Sequence, residues 1–437
     1  MGSYINFFLF ILGLIIFFYK PKYVPLYSLV WPTLIIFFIS LYSPISYEIY
    51  ESAYGGFDYY VWVCFAISLP YSFSAMNKND KILVLIAGLF FLYLLLIGSY
   101  RGGLRSLLMW VKGYTCFVPL WILMKCNNVS FSIFQKFVIV LFSFELLLGL
   151  VQYVSGNLYP SFSNGRFAEN GAINITGSFN RYNAYADCLS LLLLSSVYVI
   201  NRVKIKEAIK IYLISACIIG TILVALSGAR TELIALISAM AVLYFYKFGK
   251  STEGVIRGVV ILSLVILLMN PVQSIIKKGA SSGKANYGRL DDLRNFYSGE
   301  SDISEQSTFV LTAYLMRDFL SDPSKMIIGK GKLFSSSRGY DGIVTSNYHM
   351  WDCFLALYIC ETGIIGIIFL VLFLLYILKS SHYNIYAILV LVYLLINSVT
   401  EYGLFRGTSA IYFLFIVYYE QRLARKNKLQ GLLVDTN

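Results

Sequence analysis

Ile82-Leu83-Val84-Leu85-Ile86-Ala87-Gly88-Leu89-Phe90-Phe91-Leu92-Tyr93-Leu94-Leu95-Leu96-Ile97-Gly98-Ser99-Tyr100 carries no charge between Lys81 and Arg101. A helix of about 20 such residues crosses the hydrocarbon core of a bilayer. A transmembrane β-strand would alternate apolar and polar residues with a period of two, and this run is apolar throughout. Runs of the same kind recur from end to end, separated by short polar punctuation. They place spans near 4–19, 24–42, 59–76, 82–100, 106–124, 137–154, 183–200, 211–226, 233–248, 259–275, 352–378, 385–399 and 407–420. The expected fold class is an all-α polytopic membrane protein of about 13 (range 11–14) transmembrane helices, with residues 1–437 forming one integral membrane domain. The run around Gly363 allows a second reading, a re-entrant piece followed by a span.

Composition agrees with that reading. Of 437 residues, 58% are hydrophobic and 13% charged, about half the charge of an average soluble domain. Disordered, collagen-like and coiled-coil chains are excluded on the same grounds. The seven cysteines, Cys64, Cys116, Cys126, Cys188, Cys217, Cys353 and Cys360, lie mostly inside apolar runs without paired spacing. Neither a disulfide framework nor a zinc site is suggested, and two histidines are too few for a His-rich metal centre. No basic region precedes the first apolar run and no small-residue cleavage site follows it, so that run reads as a retained helix.

Charge sets the topology. Alternate loops carry Lys20 and Lys22; Lys78 and Lys81; Lys125 and Lys136; Arg202, Lys204, Lys206 and Lys210; Lys247, Lys250 and Arg257; Lys379; and Arg422, Arg425, Lys426 and Lys428. Only Asp80, Glu207, Glu253, Glu420 and Asp435 oppose them, so the net charge of +12 falls on one side. Lysine and arginine accumulate on the cytoplasmic side of membrane proteins. The C-terminus, with a tail over 421–437, is therefore expected inside and the N-terminus outside. The hydrophilic stretch 271–351 becomes a long periplasmic or extracellular loop. Basicity follows from topology, and nothing points to nucleic acid.

A loop longer than about 15 residues is usually functional or disordered. Here Ser304 can cap a helix whose apolar positions Phe309, Ala313, Met316 and Leu320 share one face, with Pro323 as its stop. An earlier short helix is expected over Leu290 to Tyr297. Gly329-Lys330-Gly331-Lys332 lacks the spacing and the following Ser/Thr of a phosphate loop, and no ATP is available outside.

Arginine concentrates at the external ends of spans: Arg101, Arg105, Arg166, Arg181, Arg230, Arg289, Arg294, Arg338 and Arg406. A cation in an outward loop opposes orientation and needs another reason. Singly, each can snorkel to the interface or pair with a carboxylate; as a set, their bidentate forks suit an anionic ligand such as pyrophosphate. Three charges fall inside spans: Lys112, Glu145 and Asp187. Such residues normally face a cavity or pair, and Lys112 with Glu145 is a reasonable pair.

Three stretches together resemble the bacterial O-antigen polymerase and O-antigen ligase superfamily, membrane glycosyltransferases that use undecaprenyl-pyrophosphate-linked sugars. Gly177-Ser178-Phe179-Asn180-Arg181-Tyr182-Asn183 looks like the motif that opens one of that family's spans, with Arg181-Tyr182 where Asn-Pro is usual; Arg166 matches the arginine often found upstream. Leu226-Ser227-Gly228-Ala229-Arg230-Thr231 looks like a turn between two spans. Ser346-Asn347-Tyr348-His349-Met350-Trp351, followed by Glu361-Thr362-Gly363-Ile364-Ile365-Gly366, is similar to the segment that closes the long external loop, with Met350 where Asn is commoner. Tyr287-Gly288-Arg289-Leu290 resembles a further loop motif.

The resemblance implies a surface-polysaccharide polymerase in the cytoplasmic (inner) membrane, with O-antigen ligase sharing the same features. A lipid-linked oligosaccharide flippase is the non-enzyme alternative, but it would show two repeated halves with short loops, and no internal repeat is visible. On this reading Arg166, Arg181, Arg230 and Arg289 hold pyrophosphate or glycan. His349 accepts the acceptor's proton or positions it, unless it is only an interfacial hydrogen-bonding side chain, and Glu361 is the second candidate base. No metal or cofactor is expected, because the donor is already activated. The implied partners are the lipid-linked oligosaccharide, membrane lipid and a chain-length regulator protein.

Overall fold

The computed structural model describes residues 2–24, 26–27, 56–98, 117–127, 130–155, 175–179, 182–202, 205–227, 229–249, 251–258, 260, 316, 319–331, 354–399 and 407–434. Within them every regular element is helical. Besides a 3₁₀ helix (Pro21–Tyr23) and a few further helical stretches, in chain order these are α1 (Gly2–Tyr19), α2 (Gly56–Ala75), α3 (Lys78–Gly98), α4 (Phe117–Cys126), α5 (Phe131–Ser155), α6 (Tyr182–Arg202), α7 (Glu207–Leu226), α8 (Arg230–Phe248), α9 (Pro323–Ile328), α10 (Phe354–Ser380), α11 (Ile385–Asn397) and α12 (Gly407–Val434). Six of the helical segments are long and apolar enough to cross a membrane: α3, α5, α6, α7, Thr231–Phe248 within α8, and α10. The chain is a helical membrane protein. Of the spans expected at 24–42, 106–124 and 259–275, only residues 24, 26–27, 117–124 and 260 are among those described, and the predicted helix over 290–297 lies outside them.

α6 is the central post. It packs against α5, α7, α8, α11 and α12, and most of its surface is inside the protein. Aromatic pairs fill the interfaces around it. Phe134 of α5 stacks on Phe415 of α12 with centroids 4.4 Å apart, and Phe90 of α3 stacks on Phe369 of α10 at 4.0 Å. In contrast, α3 and α7 turn leucines and isoleucines such as Leu85, Leu96, Ile218 and Ile222 outward. Exposed apolar side chains are what a lipid-facing surface requires.

The polar contacts sort the helix ends. Lys125 at the end of α4 places Nζ 2.7 Å from both oxygens of Asp80, in the first turn of α3. Tyr376, near the end of α10, donates to the same carboxylate at 2.6 Å. At the end of α6, Arg202 reaches Glu420 of α12 at 3.0 Å, and Asn384, the N-cap of α11, donates to Glu420 at 2.7 Å. Lys247 of α8 donates to Asn201 at 3.0 Å. The helix ends that carry Lys125, Arg202 and Lys247 thus lie at one end of the bundle, each of these three cations beside an acceptor.

Two boundaries differ from expectation. α12 continues through the polar stretch to Val434, so much of the expected tail is helix. Helical backbone at Met316, Phe319 and Leu320 ends before Pro323 as anticipated, but Pro323 also opens α9, because its fixed φ suits the first helical position. Asp322 caps that helix, accepting from the Ser324 nitrogen at 3.0 Å and hydroxyl at 2.7 Å. The Ser324 hydroxyl is the main influence holding the Asp322 carboxyl below its ordinary range.

Candidate functional site

At the end opposite the basic contacts, buried backbone leaves helical geometry in two places. The first is Ile175–Phe179, which lies buried just before α6. Its floor is a stripe on α5 formed by Glu145, Gly149 and Gln152, spaced so that all three share one helix face. Gln152 accepts from the nitrogens of Thr176 (3.1 Å) and Gly177 (2.8 Å) and donates to the Gly177 carbonyl at 2.8 Å. Two turns deeper, Glu145 accepts from the Ser178 nitrogen at 3.1 Å and its hydroxyl at 2.5 Å. Gly149 has no side chain to obstruct this face, so Tyr185 of α6 fits across it and donates to the Glu145 carbonyl at 3.3 Å.

The segment therefore descends to the middle of α5 instead of running over the surface. Gly177 makes the descent possible: its φ is +54°, and a Cβ there would lie 2.6 Å from the Glu145 carboxylate. Irregular backbone at this depth is tolerated only when protein groups satisfy it, and Gln152 and Glu145 supply those groups. Glu145 was expected to pair with Lys112. Its two oxygens are engaged by Ser178, and Lys112 lies outside the described residues.

The second departure is inside α10, where Gly363 takes φ 63° and ψ −166°. This break withdraws the usual intrahelical partners from the preceding carbonyls. Lys330 and Gly331 replace them, their nitrogens donating to the carbonyls of Cys360 (2.8 Å) and Glu361 (3.1 Å). Tyr93 of α3 donates to the Ile328 carbonyl and lies 3.1 Å from the Thr362 carbonyl. Across the break, the Tyr358 hydroxyl donates to the Gly366 carbonyl at 2.8 Å. The run around Gly363 is thus two helical pieces joined at a break, at the residue around which the sequence allowed an interruption.

A third polar group lies on α6. Asp187, in the second turn of α6, accepts from Tyr393 (3.0 Å) and Asn397 (2.8 Å) of α11 and from Ser409 (2.6 Å) of α12.

The residues proposed from sequence divide unevenly. Glu361 is buried at the break in α10. Arg230 is the first residue of α8, directly after the turn closed by Ser227, whose hydroxyl accepts from the Ala229 nitrogen at 3.3 Å. The side chain of Arg230 and the whole of Arg166, Arg181, Arg289 and His349 lie outside the described residues. Sequence reading missed Gln152, Tyr93, Tyr393, Asn397 and Ser409. Only Gln152 had a signal, standing seven residues after Glu145 with a glycine between. No family model and no curated protein matches the chain.

Proposed function

We propose that this protein is a surface-polysaccharide polymerase of the O-antigen type, joining undecaprenyl-pyrophosphate-linked oligosaccharide units at the outer face of the cytoplasmic membrane. One observation carries the reading. Gly177-Ser178 and Glu361-Thr362-Gly363, two of the stretches that resemble the superfamily, are the segments where buried backbone leaves the helix at the end of the bundle away from the basic loops. Broken helices and re-entrant backbone at such depth are characteristic of places where a polar ligand enters a membrane protein.

In the proposed reaction the bond between the donor's anomeric carbon and pyrophosphate breaks, and a bond from that carbon to the acceptor's hydroxyl oxygen forms. The electron pair leaves with undecaprenyl pyrophosphate, a stable anion that needs charge stabilisation and no proton. Arg166, Arg181, Arg230 and Arg289 are the groups assigned to that charge. The hydroxyl proton passes to His349, with Glu361 as the second candidate. The positive-inside rule puts the basic end, with the C-terminus, in the cytoplasm and the site outside.

The test is incubation of purified protein with purified lipid-linked repeat units. Longer lipid-linked oligomers with release of undecaprenyl pyrophosphate are expected. Transfer only to a lipid A core acceptor would assign the ligase reaction, and no transfer to either acceptor would remove the glycosyltransferase reading.

A further inference from the structure

Asp187 stands where α6, α11 and α12 come together. Tyr393 and Asn397, one turn apart on α11, and Ser409 on α12 all donate to it. Ser190, three residues after Asp187 and so on the same face of α6, is buried beside Tyr393. From α8, which packs on α11, the buried Glu232 is near enough to act electrostatically on the Tyr393 hydroxyl.

Two oxygens of this cluster are left over. Asn397 is 1% exposed; its Nδ2 donates to Asp187 at 2.8 Å, and its Oδ1 meets no donor among the described residues. Turning the amide over gives no relief, because it would set Oδ1 against the carboxylate. The Ser190 hydroxyl is 0% exposed and reaches no partner at hydrogen-bond geometry among the described residues. A buried acceptor without a partner is costly, and here it lies beside a carboxylate.

We infer that a small monovalent cation, with sodium as its probe, binds in this cluster. Asn397 Oδ1 and Ser190 Oγ are its neutral oxygen ligands, and Asp187 supplies the opposing charge. Carboxylates buried in helical membrane proteins commonly mark ion sites. α11 ends at Asn397, and the C-terminal end of a helix carries partial negative charge that favours a cation. Asp187 already accepts three hydrogen bonds, so it contributes charge more than ligand oxygens. That suits a monovalent ion better than a hard divalent one, which takes several carboxylate oxygens. The inference concerns how the ends of α6 and α11 are held together and stands apart from the proposed reaction.

An ion that binds only the folded protein raises its melting temperature, and the rise follows the occupancy of the site. The test melts purified protein in detergent in sodium chloride and in choline chloride at matched ionic strength, and measures bound radioactive sodium by equilibrium dialysis. Saturable binding and a higher melting temperature in sodium are expected for wild type. Asp187→Asn keeps an acceptor but removes the charge, and should lose both effects. Ser190→Ala breaks no hydrogen bond, so it should melt like wild type in choline while binding sodium several-fold more weakly. Equal melting in the two salts with no bound sodium, the result if the two oxygens hold only water, would overturn the inference. Sodium binding that both substitutions leave unchanged would do the same, as would stabilisation by calcium without any by sodium. No turnover is measured, so this inference and the proposed function fail separately.

Discussion

Gly329 and Gly363 meet backbone to backbone: a Cβ on Gly329 would lie 2.7 Å from the Gly363 nitrogen, and one on Gly363 would lie 2.5 Å from the Gly329 nitrogen. Both have positive φ, 77° and 63°. The loop after α9 and the broken part of α10 therefore cross with no side chain between them, and that closeness allows Lys330 and Gly331 to satisfy the carbonyls of the break.

Gly363→Ala and Gly329→Ala should each destabilise the protein. With positive φ and ψ near 180°, both glycines sit in a region essentially restricted to glycine, which costs about 1–3 kcal/mol for a residue with a Cβ, before the clash with the facing backbone is added. Tyr93→Phe, which removes only the hydroxyl that donates to the Ile328 carbonyl, should cost about 0.5–1.5 kcal/mol. Thermal melting of the detergent-solubilised protein should rank both alanine variants below Tyr93→Phe. A glycine variant as stable as wild type would mean that the crossing can open without loss.

The Asp187 cluster separates loss of charge from loss of an acceptor. Asparagine keeps one oxygen for Tyr393 and Asn397 and can offer its amide to Ser409, whose hydroxyl can reverse. Leucine strands three donors, each worth about 1–3 kcal/mol when buried and unsatisfied. Asp187→Asn should fold with a modest drop in melting temperature, and Asp187→Leu should fail to accumulate or melt far lower. Equal stability of the two variants would contradict the geometry.

Much of this architecture was legible in the sequence. Apolar runs marked most of the described helices, and Gly363 inside an apolar run signalled the interruption of α10. The start of α6 and the turn between α7 and α8 fell where short Gly- and Ser-containing motifs suggested. What stayed hidden is long-range. Asp187 meets Tyr393, Asn397 and Ser409 across more than two hundred residues, and hydropathy cannot say which helices adjoin. Asp80 with Lys125 looked like loop charge because a pair at a helix end has the composition of a solvated loop.

Topology can be tested directly. If the 271–351 loop is external, Ser301→Cys and Ser336→Cys should react with a membrane-impermeant thiol reagent on intact spheroplasts. Labelling only after lysis would invert the assignment and move the site to the cytoplasm.

The arginine assignments predict a defect in chemistry without a defect in folding. Arg230→Ala and Arg289→Ala should abolish chain extension while the protein remains inserted and abundant, and lysine should restore only part of it, since a point charge replaces a bidentate fork. Polysaccharide ladders on gels give the answer. A full-length ladder from both alanine variants would remove these residues from the site.

In sequence His349 precedes α10 and Glu361 lies within it, and the proposed mechanism needs one of them to take a proton. If His349 is the base, His349→Ala should slow the chemical step by about 10² to 10⁴ with binding of the lipid-linked unit nearly unchanged. His349→Gln keeps a hydrogen bond but cannot accept the proton at working pH, so it should be almost as slow. If His349 only positions the acceptor, glutamine should retain much of the rate. Glu361 begins from a different situation, buried where the Gly331 nitrogen bonds to its carbonyl, so Glu361→Gln separates the two candidates. A large loss in Glu361→Gln with wild-type turnover in both His349 variants would transfer the base to Glu361. The reverse pattern would leave Glu361 a structural part of the helix break. Single-turnover rates on purified lipid-linked repeats, measured beside equilibrium binding of the same lipid, distinguish these outcomes, because a general base changes the rate of the chemical step while a structural residue changes the amount of competent protein.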